Sequence, residues 1–183
     1  MPDRNFSIVP ISENLQQRVI EQTNYFLNIA SDYYSYTFSK IPVLFDLKGR
    51  AAGMYRVRYG QRVIRYNPYI FAKYFDDNFS ETIPHEVAHY VTDILYGLKT
   101  IRPHGSEWKS VMQVFGVAAN RTANYDLTGL PVRNHKKFVY HCGCQNYELT
   151  TRRHNKILRG QGEYVCRYCG GKLLFVKNQE KVA

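Results

Sequence analysis

The sequence predicts an α+β fold, in which helices and a small antiparallel sheet surround one central helix and a small cysteine-built unit follows. Three observations carry this reading. Apolar residues recur at spacings of three and four through residues 12–30 and 80–96, the pattern of half-buried helices. Residues 42–66 switch to strand alternation, and all four cysteines fall in two close pairs between 142 and 169.

In chain order, the first helix is expected from about Ser12 to Ala30, capped by Ser12 or Asn14, with Leu15, Val19, Thr23, Phe26 and Ile29 or Ala30 turned inward. The tyrosines of Asp32-Tyr33-Tyr34-Ser35-Tyr36 read as core and rim packing. Val43 to Asp46 is a short strand, and Met54 to Tyr59 pairs with Arg62 to Tyr66 through a tight Gly60-Gln61 connection, giving about three antiparallel strands. Asn67-Pro68 breaks the strand and opens a helix to Asp77. The next helix, roughly Ser80 to Tyr96, buries Ile83, Val87, Val91, Ile94 and Leu95. Ser80 is its expected cap, Pro84 suits its first turn and Gly97 ends it. Ser106 is the expected cap of a further helix, with Trp108, Val111, Met112, Phe115, Val117 and Ala118 inward.

The chemistry concentrates in His85-Glu86-Val87-Ala88-His89. On a helix, histidines four apart share one face and can bind one metal ion, while the intervening glutamate can hold a water beside it. His104 follows fifteen residues later, at the start of the next helix, and is the favoured third ligand; Asp93 and Glu107 compete. Asp93 reads more simply as a surface residue or a partner of His89. Three protein ligands with an open position form a catalytic zinc layout, in which Glu86 serves as general base toward a zinc-activated water in peptide hydrolysis. Tyr90, Tyr96, Asn67 and Asn120 are available donors for an oxyanion, with none preferred.

Cys142-Gly143-Cys144 and Cys166-Arg167-Tyr168-Cys169 suit a structural zinc site of four thiolates, with Val139-Tyr140 and Leu173 to Val176 as its strands. The first pair is tighter than usual knuckle spacing, which leaves His141 as a substitute ligand. Two zinc ions are therefore expected, one catalytic and one structural. Residues 1–130 carry 14 Lys and Arg against 12 Asp and Glu, whereas residues 131–183 carry 11 against 3. That division sets a metalloprotease-type domain at 1–130 and a basic zinc-ribbon domain at 131–183, and the charge of the second suits DNA. Arg152, Arg153, Lys156 and Arg159 are the candidate phosphate contacts, and His154 beside them is either a hydrogen-bonding turn residue or a functional one. No apolar run approaches the length of a membrane span, and the N-terminus lacks a signal-peptide pattern, so a cytoplasmic location is expected.

Taken in order, Arg65-Tyr66-Asn67-Pro68, Pro84 to His89, Pro103 to Trp108, the C-x-C pair, Leu149 to Asn155 and Tyr164 to Gly170 resemble the SprT family over nearly the whole chain. Through it, the chain is similar to the SprT-like metalloprotease domain of the eukaryotic protease Spartan. The resemblance implies a compact zincin-like metalloprotease core with a C-terminal zinc ribbon, His85, His89 and His104 as zinc ligands, and Glu86 as the catalytic residue. It further implies action on DNA-bound or DNA-cross-linked proteins. The alternative from another class is a non-proteolytic regulatory protein that binds zinc and DNA.

Overall fold

A computed structural model describes residues 8–121, 125–131 and 136–176. It is an α+β structure of two compact units, residues 1–132 and 133–183. In the first unit, Ser12 caps α1 (Glu13–Tyr34) by accepting the Leu15 N–H. The helix runs four residues beyond the expected Ala30 and stops where Ser35 turns left-handed and donates its N–H to the Ser31 carbonyl. Val19, Phe26, Leu27 and Ala30 are its buried stripe. Tyr34 packs at the core rim, whereas Tyr33 and Tyr36 are exposed.

The sheet of this unit has order β1-β3-β2, formed by Val43–Leu44, Gln61–Tyr66 and Gly53–Arg58. Its register corrects the expected all-antiparallel sheet, because β1 pairs parallel to β3 and only the β2–β3 hairpin is antiparallel. Residues 45–52 cross the end of β3, where the Leu47 N–H bonds to the Tyr66 carbonyl, and set β2 on the far side of β3, so β1 neighbours β3, which runs in its own direction, instead of β2. The hairpin turn is Tyr59-Gly60, one residue earlier than read from sequence, with φ of 49° and 77°. Two consecutive positive φ values make the turn whose twist matches paired strands, and glycine takes the second position without steric cost.

Asn67 caps α2 (Pro68–Lys73), which ends short of the expected Asp77. A one-turn α3 (Phe75–Asp77) then leads into a π-helical turn, Asn78–Thr82, and directly into α4 (Ile83–Tyr96). Ser80 therefore caps nothing. Its hydroxyl donates back to the Asp76 and Asp77 carbonyls, as serine does inside a helix. Thr82 instead donates to the buried Asn78 amide oxygen, tying the wide turn together. Pro84 occupies the first turn of α4 and Gly97 ends it, as the sequence indicates. Ile83, Val87 and Val91 are fully buried against α1 and α5 (Ser106–Val114), each such side chain contributing about 1.5–3 kcal/mol. Gly105, not Ser106, flanks α5, and the helix stops before Val117 and Ala118.

Asp93 is neither a surface residue nor a partner of His89. It is buried and joins the hairpin to α4, accepting from the Tyr55 hydroxyl and Arg62 Nε, both at 2.6 Å, and from the Leu98 N–H at 3.2 Å. These bonds hold its carboxyl below the usual range even though burial alone would raise it. Asp93→Ala leaves the Tyr55 hydroxyl and Arg62 without their acceptor and is expected to lower unfolding free energy by about 1–3 kcal/mol. Denaturant titration checks this, and a change below about 0.5 kcal/mol contradicts it.

In the second unit, β4 (Lys137–His141) lies between β5 (Asn146–Thr150) and β6 (Leu174–Phe175), all antiparallel. An unanticipated helix, α6 (Thr151–Leu158), packs on β4 and β5. His154 belongs to its core. The ring stacks on Phe138 at 3.6 Å, and Nδ1 and the Tyr140 hydroxyl are hydrogen-bonded at 2.9 Å.

Candidate metal centre

Helix α4 brings His85 and His89 onto one face, and the loop before α5 folds back to add His104. The three Nε2 atoms form a triangle with sides of 3.0, 3.1 and 3.2 Å. A tetrahedral zinc with bonds of 2.0–2.1 Å would set such sides at about 3.4 Å, so the three imidazoles fit a metal ion with small adjustment. Asp93 and Glu107 stand outside this set. His104 sits in the left-handed region at φ 57°, a strained conformation for a non-glycine residue that aims its ring toward the other two.

The imidazoles are prepared as ligands. Burial pushes His85 down to about 4 and His89 down to about 3, and it lowers His104 as well, so all three are neutral near pH 7. His85 Nδ1 lies 3.2 Å from the Asn120 carbonyl, which can only accept; the proton is therefore on Nδ1 and Nε2 is bare. Trp108, whose inward position follows from helical spacing, does more than pack. Its ring lies 4.7, 5.7 and 4.8 Å from those of His85, His89 and His104, and its Nε1 donates to the His85 carbonyl.

Glu86 points round α4 toward the start of β2, where it is buried. Its Oε2 accepts the Tyr55 N–H at 2.6 Å, and burial raises the carboxyl to about 7 against the lowering effect of that bond. The carboxyl fits because residue 53 is glycine: a Cβ there would stand 2.7 Å from both Glu86 Cγ and Oε1, and 2.8 Å from Thr82 Cγ2. His85, Glu86, His89 and His104 line a cleft of about 650 Å³ together with Gly53, Tyr55, Arg121 and Tyr125. Of the four donors considered for an oxyanion, Asn120 lines this cleft, while Asn67 caps α2 and the Tyr90 hydroxyl bonds the Ser39 carbonyl. Arg121 and Tyr125 escaped sequence reading because neither lies in a motif or periodic segment.

The second unit gathers Cys142, Cys144, Cys166 and Cys169, whose sulfurs lie within 4.8 Å of one another. Sγ of Cys144 is 3.1, 3.5 and 3.5 Å from those of Cys142, Cys166 and Cys169, close to the roughly 3.8 Å edge of a tetrahedral zinc–thiolate site. His141 is not a ligand here: its Nδ1 accepts the Gly143 N–H and fixes the tight C-x-C turn. N–H groups of Tyr168 and Gly171 point at the Cys166 and Cys169 sulfurs, a pattern that stabilises thiolates. Arg152 and Lys156 on α6 and Arg159 at its C-cap share one exposed stripe at spacings of four and three, while Arg153 turns aside over the Tyr164 ring.

Both units are similar to known proteins. Residues 23–135 match the SprT-like family and residues 136–177 the SprT-like zinc ribbon domain. Protein SprT of Vibrio parahaemolyticus is 39% identical over 150 residues, covering 81% of this chain and 87% of that one. Protein SprT of Serratia proteamaculans is 35% identical over 172 residues (93% and 96%), and that of Yersinia pestis 37% over 169 (92% and 94%). No solved structure matches. Among the described residues, no helix is long and apolar enough to cross a membrane. With both halves matched in order, and three relatives above 30% identity over most of their length, the chain belongs to the SprT-like family and carries its zinc ribbon domain.

Proposed function

We propose that the protein is a zinc metalloendopeptidase that works on DNA-associated proteins, including proteins cross-linked to DNA. The observation that supports this most is the buried Glu86 carboxyl, held by the Tyr55 N–H beside three converging imidazoles in an open cleft. A purely structural metal site has no use for a carboxyl in that place. A zinc ion on His85, His89 and His104 would polarise the scissile carbonyl and acidify a water at its open position. Glu86 keeps Oε2 on the Tyr55 N–H, which leaves Oε1 to take the water's proton and return it to the departing amine. The second zinc belongs to the four cysteines, which hold the ribbon and its α6. Arg152, Lys156 and Arg159, with Arg153 beside them, contact phosphates.

An unfolded protein substrate is expected to be cleaved by the wild type, faster when DNA is added, and not after chelation. No cleavage under any of these conditions overturns the reading. Gly53→Ala sharpens the test, because a methyl group at that position displaces Glu86 without touching a ligand. Its turnover is expected to drop about tenfold or more while zinc content stays constant. Wild-type rates in Gly53→Ala would show that the placement of Glu86 is not critical.

A further inference from the structure

The near balance of charge over residues 1–130 conceals a separation. Residues 48–65 hold Lys48, Arg50, Arg56, Arg58, Arg62 and Arg65 and no acid, while the rest of that stretch carries 8 basic residues against 12 acidic ones. The β2–β3 register divides the strand arginines between two faces. Tyr55 opposite Ile64 and Val57 opposite Arg62 face α4, where Arg62 is bound to Asp93. Met54 opposite Arg65, Arg56 opposite Val63 and Arg58 opposite Gln61 face the other way, with Leu44 beside Arg65. That second face is open along its edges and at the hairpin end, where Met54 and Leu44 are 38% and 41% exposed and Arg58 and Gln61 are exposed, while Val63 at its centre is buried and Arg56 and Arg65 are half-buried. Asp46 pairs with Arg65 and is also lowered by the nearby Arg56 charge, but among the described residues no carboxylate stands within ion-pair distance of Lys48, Arg50, Arg56 or Arg58. Arg56 Nε is buried with no acceptor, a loss of hydration that a nearby anion would offset.

We propose that this open sheet face is a nucleic-acid contact surface on the catalytic unit itself, additional to the ribbon. The inference rests on the DNA-associated reading and deepens it. Arg56 and Arg58 stand two residues apart on one strand, a step of about 6.8 Å that suits a repeating polyanion better than a single acidic group. At the hairpin tip Tyr59 is 90% exposed, with the Arg58 guanidinium 5.0 Å from its ring centroid. An exposed aromatic ring beside an arginine is a surface on which bases stack, and an acidic protein gains little from it. The same strand carries Gly53, Met54 and Tyr55 into the cleft wall, so nucleic acid on this face lies beside the place where peptide is held.

The test is salt-dependent binding of the full zinc-loaded chain to a DNA duplex. Arg56→Gln with Arg58→Gln is expected to reduce the slope of log affinity against log salt by about 1.8, and affinity about tenfold, whereas the Lys pair keeps both near wild type. Thermal melting monitors folding, and if the Gln pair melts early, the exposed Arg58→Gln alone should reduce the slope by about 0.9. An unchanged slope in a folded Gln variant overturns the proposal while leaving the ribbon as the DNA site. Loss of polyglutamate binding with DNA binding retained overturns it in favour of an acidic protein partner. A wild type that binds no DNA removes the DNA-associated reading and this surface with it, whatever the peptidase assay shows.

Discussion

Glu86→Gln is expected to abolish peptide hydrolysis, with a fall of about 10²–10⁴-fold, while the protein keeps its zinc and its melting temperature. The amide is nearly isosteric, and its oxygen can still accept the Tyr55 N–H, so the bond that seats the side chain survives. What disappears is the ability to take a proton. Paired measurement of turnover and of zinc per chain decides the matter: a variant that cleaves like the wild type removes Glu86 as the base, and one that loses zinc shows that it supports the ligands instead.

Cys166→Ser is expected to have the other large effect, confined to the second unit. Cys166 is buried among Tyr140, Leu149 and Leu173, a core of very few residues that cannot hold a fold of this size by burial alone. Metal binding in such sites contributes about 10–16 kcal/mol, so removing one thiolate should release one zinc per chain and unfold residues 137–176. DNA affinity should fall with it, because α6 loses its support. Metal analysis together with amide exchange across the two units reads this out. Native protection in both units and undiminished zinc would show that the ribbon stands without its fourth sulfur.

The separation of effects follows from the architecture, and so does the uneven legibility of the site. His85, His89 and His104 could be read from the chain because helical spacing and a helix start fix where such rings point. The four cysteines were legible through their pairing, although their sulfurs also had to displace His141, which only the Gly143 bond shows. Glu86 was visible as a residue but its seating was not: the Tyr55 N–H comes from 31 residues upstream and is a main-chain group that every sequence has. Asp93 misled because a carboxylate one turn after a ligand looks exposed until Tyr55 and Arg62 are folded over it. The parallel β1 was hidden since a two-residue strand has no periodicity, and Ser80 looked like a cap because a π turn has no sequence signal of its own. His154 could not be placed for another reason: it sits on α6, and its partners Phe138 and Tyr140 lie on β4, more than a dozen residues upstream.

Trp108 adds a practical property to the centre. It is the chain's single tryptophan, it is 1% exposed, and its indole touches all three imidazole rings. The molecule therefore carries an optical reporter at the one place where its state matters. Indole emission, free of any second source, follows the charge and occupancy of that histidine cluster in real time, in the unlabelled protein and without a substrate.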